Sequence, residues 1–287
     1  MELNTVKSEE IVNKKNKTLY VTDLDGTLLR SDERTSAYTN HTINRLVEEG
    51  ACFSYATARS SVTAKKVTEG LNTKFPIICY NGAFILDNAT GEILSGNFFD
   101  VCFDQLAKDL FDAEIYPIIY AYIDGRERFS YIKKKISKPT ENFIATRNDS
   151  RKREVETVEE LTADKLYYVA CIDTPEKLEP IYLKYKDIYH CVYQKDIYSH
   201  DQWLEIMPLT VSKANAIRQL KKLLGCERVV AFGDGINDRE MFELADESYA
   251  VANAVPELKE VATGVIGENN DDAVAKWLEN EFRFFEI

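Results

Sequence analysis

Asp23-Leu24-Asp25-Gly26-Thr27 sets two carboxylates two residues apart, directly after the apolar run Leu19-Tyr20-Val21. The run reads as a buried strand, and the glycine as the turn that ends it. Carboxylates at such a strand end suit a hard divalent cation, which favours oxygen ligands, and an anionic phosphate ester beside it. There one carboxylate can attack phosphorus and form an aspartyl-phosphate, splitting one hard step into two. A second can protonate the leaving oxygen and then take a proton from the attacking water. Asp23 and Asp25 fit these two roles. By itself the string is also a plausible acidic surface turn with Asp25 as its Asx residue, so the rest of the chain must supply the remaining chemistry.

Gly233-Asp234-Gly235-Ile236-Asn237-Asp238 is a second acidic cluster, placed between an apparent strand and a helix start. Asp234 and Asp238 can complete a magnesium site, and Asn237 can orient ligands or accept a hydrogen bond. An ordinary loop with Asp as N-cap would look similar, but glycines on both sides of Asp234 favour close backbone approach and hence a metal. Thr57 follows another strand and can give its hydroxyl and backbone N–H to a phosphate oxygen near a helix N-terminus. N-capping by Thr57 or Ser60 would explain the same residues. Lys213 can neutralise a transferring phosphoryl group and restrain the nucleophile's charge. In the first turn of a helix its ammonium opposes the dipole unless an anion compensates it. Asn81 could hydrogen-bond a phosphate or a hinge, although Asn81-Gly82 is first of all a turn signal.

The elements that must position these residues alternate as in a parallel α/β sheet. Leu19 to Asp23, Cys52 to Ala56 and Pro76 to Tyr80 read as strands, with helices over about 35–49 and 61–71 between them. Each strand ends in a small or polar cluster, which is where open α/β sheets bind ligands. Phe84-Ile85-Leu86 and Glu92-Ile93-Leu94 read as a hairpin. From about residue 100 to 200 the chain is rich in tyrosine. It reads as helices at Val101–Ala113 and Pro175–Tyr185, and strands at Pro117–Ile123, Arg128–Ile132 and Leu166–Ile172. The α/β alternation returns with a helix capped by Ser212 and ended by Gly225, the strand Arg228–Phe232, a short strand at Tyr249–Ala252 and a helix at Asp271–Glu281. The expected organisation is a loose leader over 1–17, a core over 18–85 and 201–287, and an inserted α+β domain over 86–200. The apolar tail Phe282-Arg283-Phe284-Phe285-Glu286-Ile287 is expected to pack on the core or on a partner.

With 287 residues, 45% of them hydrophobic, the chain can bury a large core. A net charge of -12 argues against nucleic acid or an anionic membrane surface as main partner. The six cysteines form no CxxC pair, and most lie in apolar runs, so reduced, packed thiols in a cytoplasmic protein are expected. Three scattered histidines, His41, His190 and His200, speak against a His-based zinc site. The first 17 residues lack the apolar segment of a signal peptide, and no apolar run reaches the length of a membrane span.

Taken in order, these motifs resemble those of the haloacid dehalogenase (HAD) superfamily, in its Cof-type, subclass IIB branch with a C2B cap. Asp23 to Thr27 is similar to motif I, Thr57 to motif II, Lys213 to motif III and Gly233 to Asp238 to motif IV. Tyr80-Asn81-Gly82-Ala83 and Leu204-Glu205-Ile206 resemble the core-to-cap junctions. Ala58 and Ala214 stand where the pattern carries glycine, as does Ala273 within Asp271-Asp272-Ala273-Val274. These one-methyl changes leave every charged role filled. The resemblance implies an α/β fold with a Rossmann-like parallel-sheet core and an inserted α+β cap. It also implies Mg2+ and phosphatase activity on small phosphorylated metabolites, often sugar phosphates. It implies Asp23 and Asp25 as catalytic pair, Thr57, Ala58, Lys213 and Asn237 around the phosphate, and Asp23, Asp25, Asp234 and Asp238 around the metal. The principal contacts would be the Asp23 carboxylate, the Asp25 main-chain carbonyl and Asp234. A phosphomutase of hexose phosphates would use the same intermediate, and a non-enzymatic metabolite-binding regulator could keep the fold. Tyr120, Tyr122, Tyr168 and Trp203 are candidates for reading the substrate, although aromatics at strand spacing are more often packing. The sequence carries no signal for the oligomeric state.

Overall fold

The computed structural model describes residues 18–72, 74–100, 103–147, 150–163, 165–196 and 200–283. The leader over 1–17, Cys102 and the tail from residue 284 onward therefore lie outside the described residues. The chain forms two compact units: one ends at Gly96 and resumes at Ser212, and the other spans Asn97–Val211. Each division falls about ten residues later than the sequence placed it. The hairpin strand after Leu86 pairs within the first unit, and the strand holding Leu204-Glu205-Ile206 pairs within the second.

In the first unit, β1 (Thr18–Thr22) is buried at every position. Its β-branched and aromatic residues suit a strand covered on both faces. It lies between β2 (Cys52–Tyr55) and a later strand, Arg228–Gly233, and pairs in parallel with both. Between β1 and β2 runs the helix Ala37–Glu48, whose N-cap Ser36 accepts a hydrogen bond from Thr39 N. After β2, Ser60 caps the helix Ser61–Val67 by accepting from Thr63 N. β3 (Ile77–Cys79), β4 (Phe84–Leu86) and β5 (Ile93–Gly96) form a three-stranded antiparallel sheet. It is joined to the parallel sheet by a bridge between Ala56 and Ile78.

The second unit is built on a six-stranded sheet of β6 (Ile118–Ile123), β7 (Arg126–Tyr131), β8 (Lys152–Glu154), β9 (Lys165–Asp173), β10 (His190–Lys195) and β11 (Gln202–Met207). Their order is β10-β11-β9-β6-β7-β8. All neighbours are antiparallel except β7 and β8. One face packs Ile119, Val169 and Leu204 against Leu106 and Leu110 of the helix Phe103–Asp112 and Leu178 and Ile181 of the helix Pro175–Tyr185. Ile118, Phe129 and Ala170 form a separate cluster with Ile144 of the helix Lys138–Ala145. Three of the candidate substrate readers, Tyr120, Tyr168 and Trp203, pack against that cluster. Tyr120 and Tyr168 meet edge-to-face at 5.0 Å, as do Trp203 and Phe143 at 4.9 Å.

Back in the first unit, the helix Lys213–Leu223 leads to β12 (Arg228–Gly233), β13 (Glu247–Ala250) and β14 (Gly264–Val265), completing the parallel order β14-β13-β12-β1-β2. The helix Ala273–Arg283 follows. Trp277 closes the core here against Phe232 and Tyr249, with ring centroids 5.1 and 4.6 Å away. The chain leaves β1 toward β2 on one side and fills the β12 side only after the inserted unit. The strand order therefore reverses beside β1, and the carboxyl ends of β1 and β12 flank the crevice where such sheets bind ligands. The five described cysteines form no disulfide.

Candidate active site

Thr22 on β1 is in register with Phe232 on β12 and Tyr55 on β2, so the three chains leave the sheet side by side. Asp23 N donates to Phe232 O (2.9 Å) and Ala56 N to Thr22 O (2.9 Å), which extends the ladder one step into the loops. Asp23 is thereby fixed at the strand end and is only 6% exposed. Its neighbour Gly26 has a φ of 75°, and a Cβ there would lie 2.3 Å from Asp234 Oδ2. Only glycine lets the first acidic loop pass this close to the second. Thr27 Oγ1 then donates to Asp234 Oδ1 at 3.1 Å.

Oxygens of Asp23, Asp234 and Asp238 all lie within 4.8 Å of one another. Lys213 Nζ sits among them, 2.6 Å from Asp23 Oδ1 and 2.7 Å from Asp238 Oδ1. The lysine is 3% exposed and Asp238 is fully buried. Asp238 Oδ2 accepts the backbone N–H groups of Asp234 and Gly235, both at 3.1 Å. Asp238 thus holds Lys213 through Oδ1 and the Asp234 loop through Oδ2, while belonging to the same acidic cluster. The helix dipole cost expected for Lys213 is met by these two anions. Ser212 caps that helix as expected, accepting from Asn215 N at 3.1 Å.

Three carboxylates around one ammonium leave an excess of negative charge. Burial pushes the Asp23 carboxyl up to about 8 against the pull of Lys213, with Asp238 adding to the rise. Burial and the nearby Asp238 raise Asp234 to about 6. Burial alone would lower Lys213, but Asp23 and Asp238 outweigh it and hold the amine above its ordinary value as an ammonium. Crowded carboxylates on rigid strand ends form a hard, oxygen-only donor set, and this fits a divalent cation.

The Asp25 carboxylate stands apart from that cluster. It accepts Arg59 Nε at 2.8 Å and Arg59 Nη2 at 2.5 Å, and the same Nη2 reaches Glu33 at 3.0 Å. Arg59 was not singled out from the sequence, although it lies two residues after Thr57. Thr57 is buried, but its N–H donates to Ile78 O at 3.0 Å and is not available to a phosphate; its Oγ1 accepts from Arg59 N at 3.1 Å. The hydroxyl proton is what Thr57 can offer. Ala58 and Asn237 are exposed on their loops, and Asn237 Oδ1 would lie 2.6 Å from a Cβ on Gly235.

The Asn81-Gly82 turn forms as expected but is tighter than the dipeptide suggests. Tyr80, Asn81 and Gly82 have successive φ values of 51°, 53° and 102°. Tyr80 N donates to Arg59 O (3.1 Å) and Asn81 N to Thr57 O (2.9 Å), so the turn braces the segment that carries both residues. No helix among the described residues is long and apolar enough to cross a membrane.

Residues 20–278 match the family model of haloacid dehalogenase-like hydrolases. The chain is 28% identical to the 5-amino-6-(5-phospho-D-ribitylamino)uracil phosphatase YitU of Bacillus subtilis, over 92% of this chain and 97% of that protein. A solved structure from Thermotoga maritima shares 28% of its residues over 91% of this chain and 96% of the other, with a TM-score of 0.75. A HAD subclass IIB sugar phosphatase superposes with a TM-score of 0.65 over 92% of this chain and 98% of its own; at 17% identity that likeness shows the fold alone.

Proposed function

We propose that this chain, which belongs to the haloacid dehalogenase-like hydrolases and is an enzyme of their phosphatase kind, uses Mg2+ and an aspartyl-phosphate to hydrolyse small phosphorylated metabolites. The observation that carries the reading is the buried Lys213 ammonium shared between Asp23 and Asp238, with Asp234 alongside. An ammonium against a carboxylate oxygen fixes one oxygen and leaves the group able to turn its other one to phosphorus. Asp23, Asp234 and the Asp25 main-chain carbonyl would hold Mg2+, which neutralises phosphate oxygens that otherwise repel an anionic nucleophile.

In the proposed reaction an Asp23 oxygen bonds to phosphorus as the bond to the leaving alcohol oxygen breaks. Asp25 gives that oxygen its proton. Asp25 then takes a proton from water, whose oxygen attacks phosphorus and expels the Asp23 carboxylate, releasing inorganic phosphate. Lys213 and the Thr57 hydroxyl hold phosphoryl oxygens through both steps, with Asn237 and the backbone at Ala58 at the rim. Arg59, paired with both Asp25 oxygens, has to release one of them for Asp25 to carry a proton in these steps. YitU is named for a phosphorylated ribityl compound, which favours a sugar or sugar-alcohol phosphate here. The inserted unit Asn97–Val211 is the proposed seat of substrate choice.

Phosphate release from a panel of sugar, sugar-alcohol and nucleoside monophosphates, with Mg2+ and with EDTA, tests the reading. Release from sugar-type esters that stops on chelation and returns with Mg2+ is expected. Release unaffected by chelation would contradict the metal's part. Interconversion of hexose phosphates without net phosphate release would point to a mutase.

A further inference from the structure

The loop after β13, Val251 to Val255, touches both acidic loops. Val251 N donates to Gly233 O (3.2 Å) and Val255 N to Asp234 O (2.9 Å), gripping the second loop by its backbone. Between these two residues, Asn253 Nδ2 donates to Gly26 O at 2.8 Å, gripping the first loop. Asn253 is held in turn, because its Oδ1 accepts Asn269 N at 3.0 Å. The Gly26 carbonyl is therefore tied down one peptide after Asp25 and one residue before Thr27, whose hydroxyl meets Asp234. Gly26 itself packs directly on the Asp234 carboxylate.

We infer that Asn253 is a positioning residue for the metal site, clamping the Asp25-Gly26-Thr27 backbone onto Asp234 so that the two acidic loops present their oxygens as one preorganised set. The inference rests on the metal reading above. Mg2+ demands near-ideal octahedral geometry, so an oxygen that drifts costs affinity more than an equal drift around a larger cation would. Partners that orient ligands without touching the metal typically change its affinity by about 10–100-fold when removed. Asn253 is exposed and carries no core packing, so its loss should act on the site more than on the fold.

The test is calorimetric titration of the full chain with Mg2+ alone, in phosphate-free buffer, beside a melting curve for each variant. Asn253→Ala is expected to raise the Mg2+ dissociation constant about tenfold, with kcat at saturating Mg2+ within a few-fold of the unaltered chain. Asn253→Ser keeps a polar side chain but is too short to bridge Gly26 O and Asn269 N, and it should weaken Mg2+ binding likewise. Asn270→Ala is the control. Asn270 bonds Ser31 N and Oγ (2.9 and 2.8 Å), tying the same C-terminal segment to the chain beyond the acidic loop without touching Gly26. It should leave Mg2+ affinity within twofold. If Asn253→Ala and Asn253→Ser bind Mg2+ as tightly as Asn270→Ala, the clamp is wrong. If the unaltered chain takes up no Mg2+, the metal reading falls and the clamp with it.

Discussion

At the residue scale the site turns on a buried charge shared three ways. Lys213 would be costly at 3% exposure if unpaired; with Asp23 and Asp238 at 2.6 and 2.7 Å it is compensated. Asp238 also takes two backbone N–H groups, so it ties the Asp234 loop to the same buried charge. Asp238→Ala should lower stability by about 3 kcal/mol, because three donors lose their acceptor and a buried cation loses half its compensation. Thermal or denaturant unfolding checks this, and an unchanged midpoint would mean that water or Asp23 substitutes freely. Lys213 itself was legible in the sequence, since an ammonium in the first helical turn is uncomfortable without an anion. Arg59 and Asn253 were not. An arginine after a strand and an asparagine in a loop are common solvated residues, and their partners, Asp25 at a separation of 34 and Gly26 at 227, are set only by the fold.

At the element scale the strand ends do the positioning, and the Tyr80–Gly82 turn braces them. Gly82 has a φ of 102°, and a Cβ there would sit 2.2 Å from Ser212 O and 3.2 Å from Ala216 Cβ. The turn thus presses on the first turn of the helix that carries Lys213 and hydrogen-bonds the segment that carries Thr57 and Arg59. Gly82→Ala should cost about 1–3 kcal/mol from backbone strain, and should lower kcat as well, because the Ser212–Lys213 backbone has to yield. Melting and steady-state rates on the same preparation check both; a loss of stability with kcat intact would show that the turn is only scaffolding. Asn-Gly announced this turn, but nothing in the sequence marks Tyr80 for a positive φ, since bulky side chains avoid that region. Capped helices and apolar strands of the first unit were legible because local signals agree there. The second unit was harder. No helix is read from the sequence at Lys138–Ala145, where Ser137 caps one by accepting from Thr140 N, with Pro139 in the first turn, where its missing N–H costs nothing. Strand β10 has mixed exposure and no clean alternation, so periodicity did not find it.

At the scale of the whole molecule, a parallel sheet split by a long insertion brings together Asp23, Lys213, Asp234 and Asp238, although Asp23 and Asp238 are 215 positions apart. The motif order points to the family, and the match over residues 20–278 bears it out, as the parallel sheet with a second, α+β unit bears out the fold class. The unit boundaries at 96 and 211 were out of reach of composition, because the junction strands β5 and β11 look alike as apolar segments and only pairing assigns them. The central claim is that Asp23 carries the phosphoryl group. Asp23→Asn keeps the side-chain volume and an oxygen for Lys213, so the melting curve should stay close to that of the unaltered chain. Phosphate release from the best ester of the panel, with saturating Mg2+, should fall by at least about 10⁴-fold. A folded Asp23→Asn protein that releases phosphate at the unaltered rate would contradict the account.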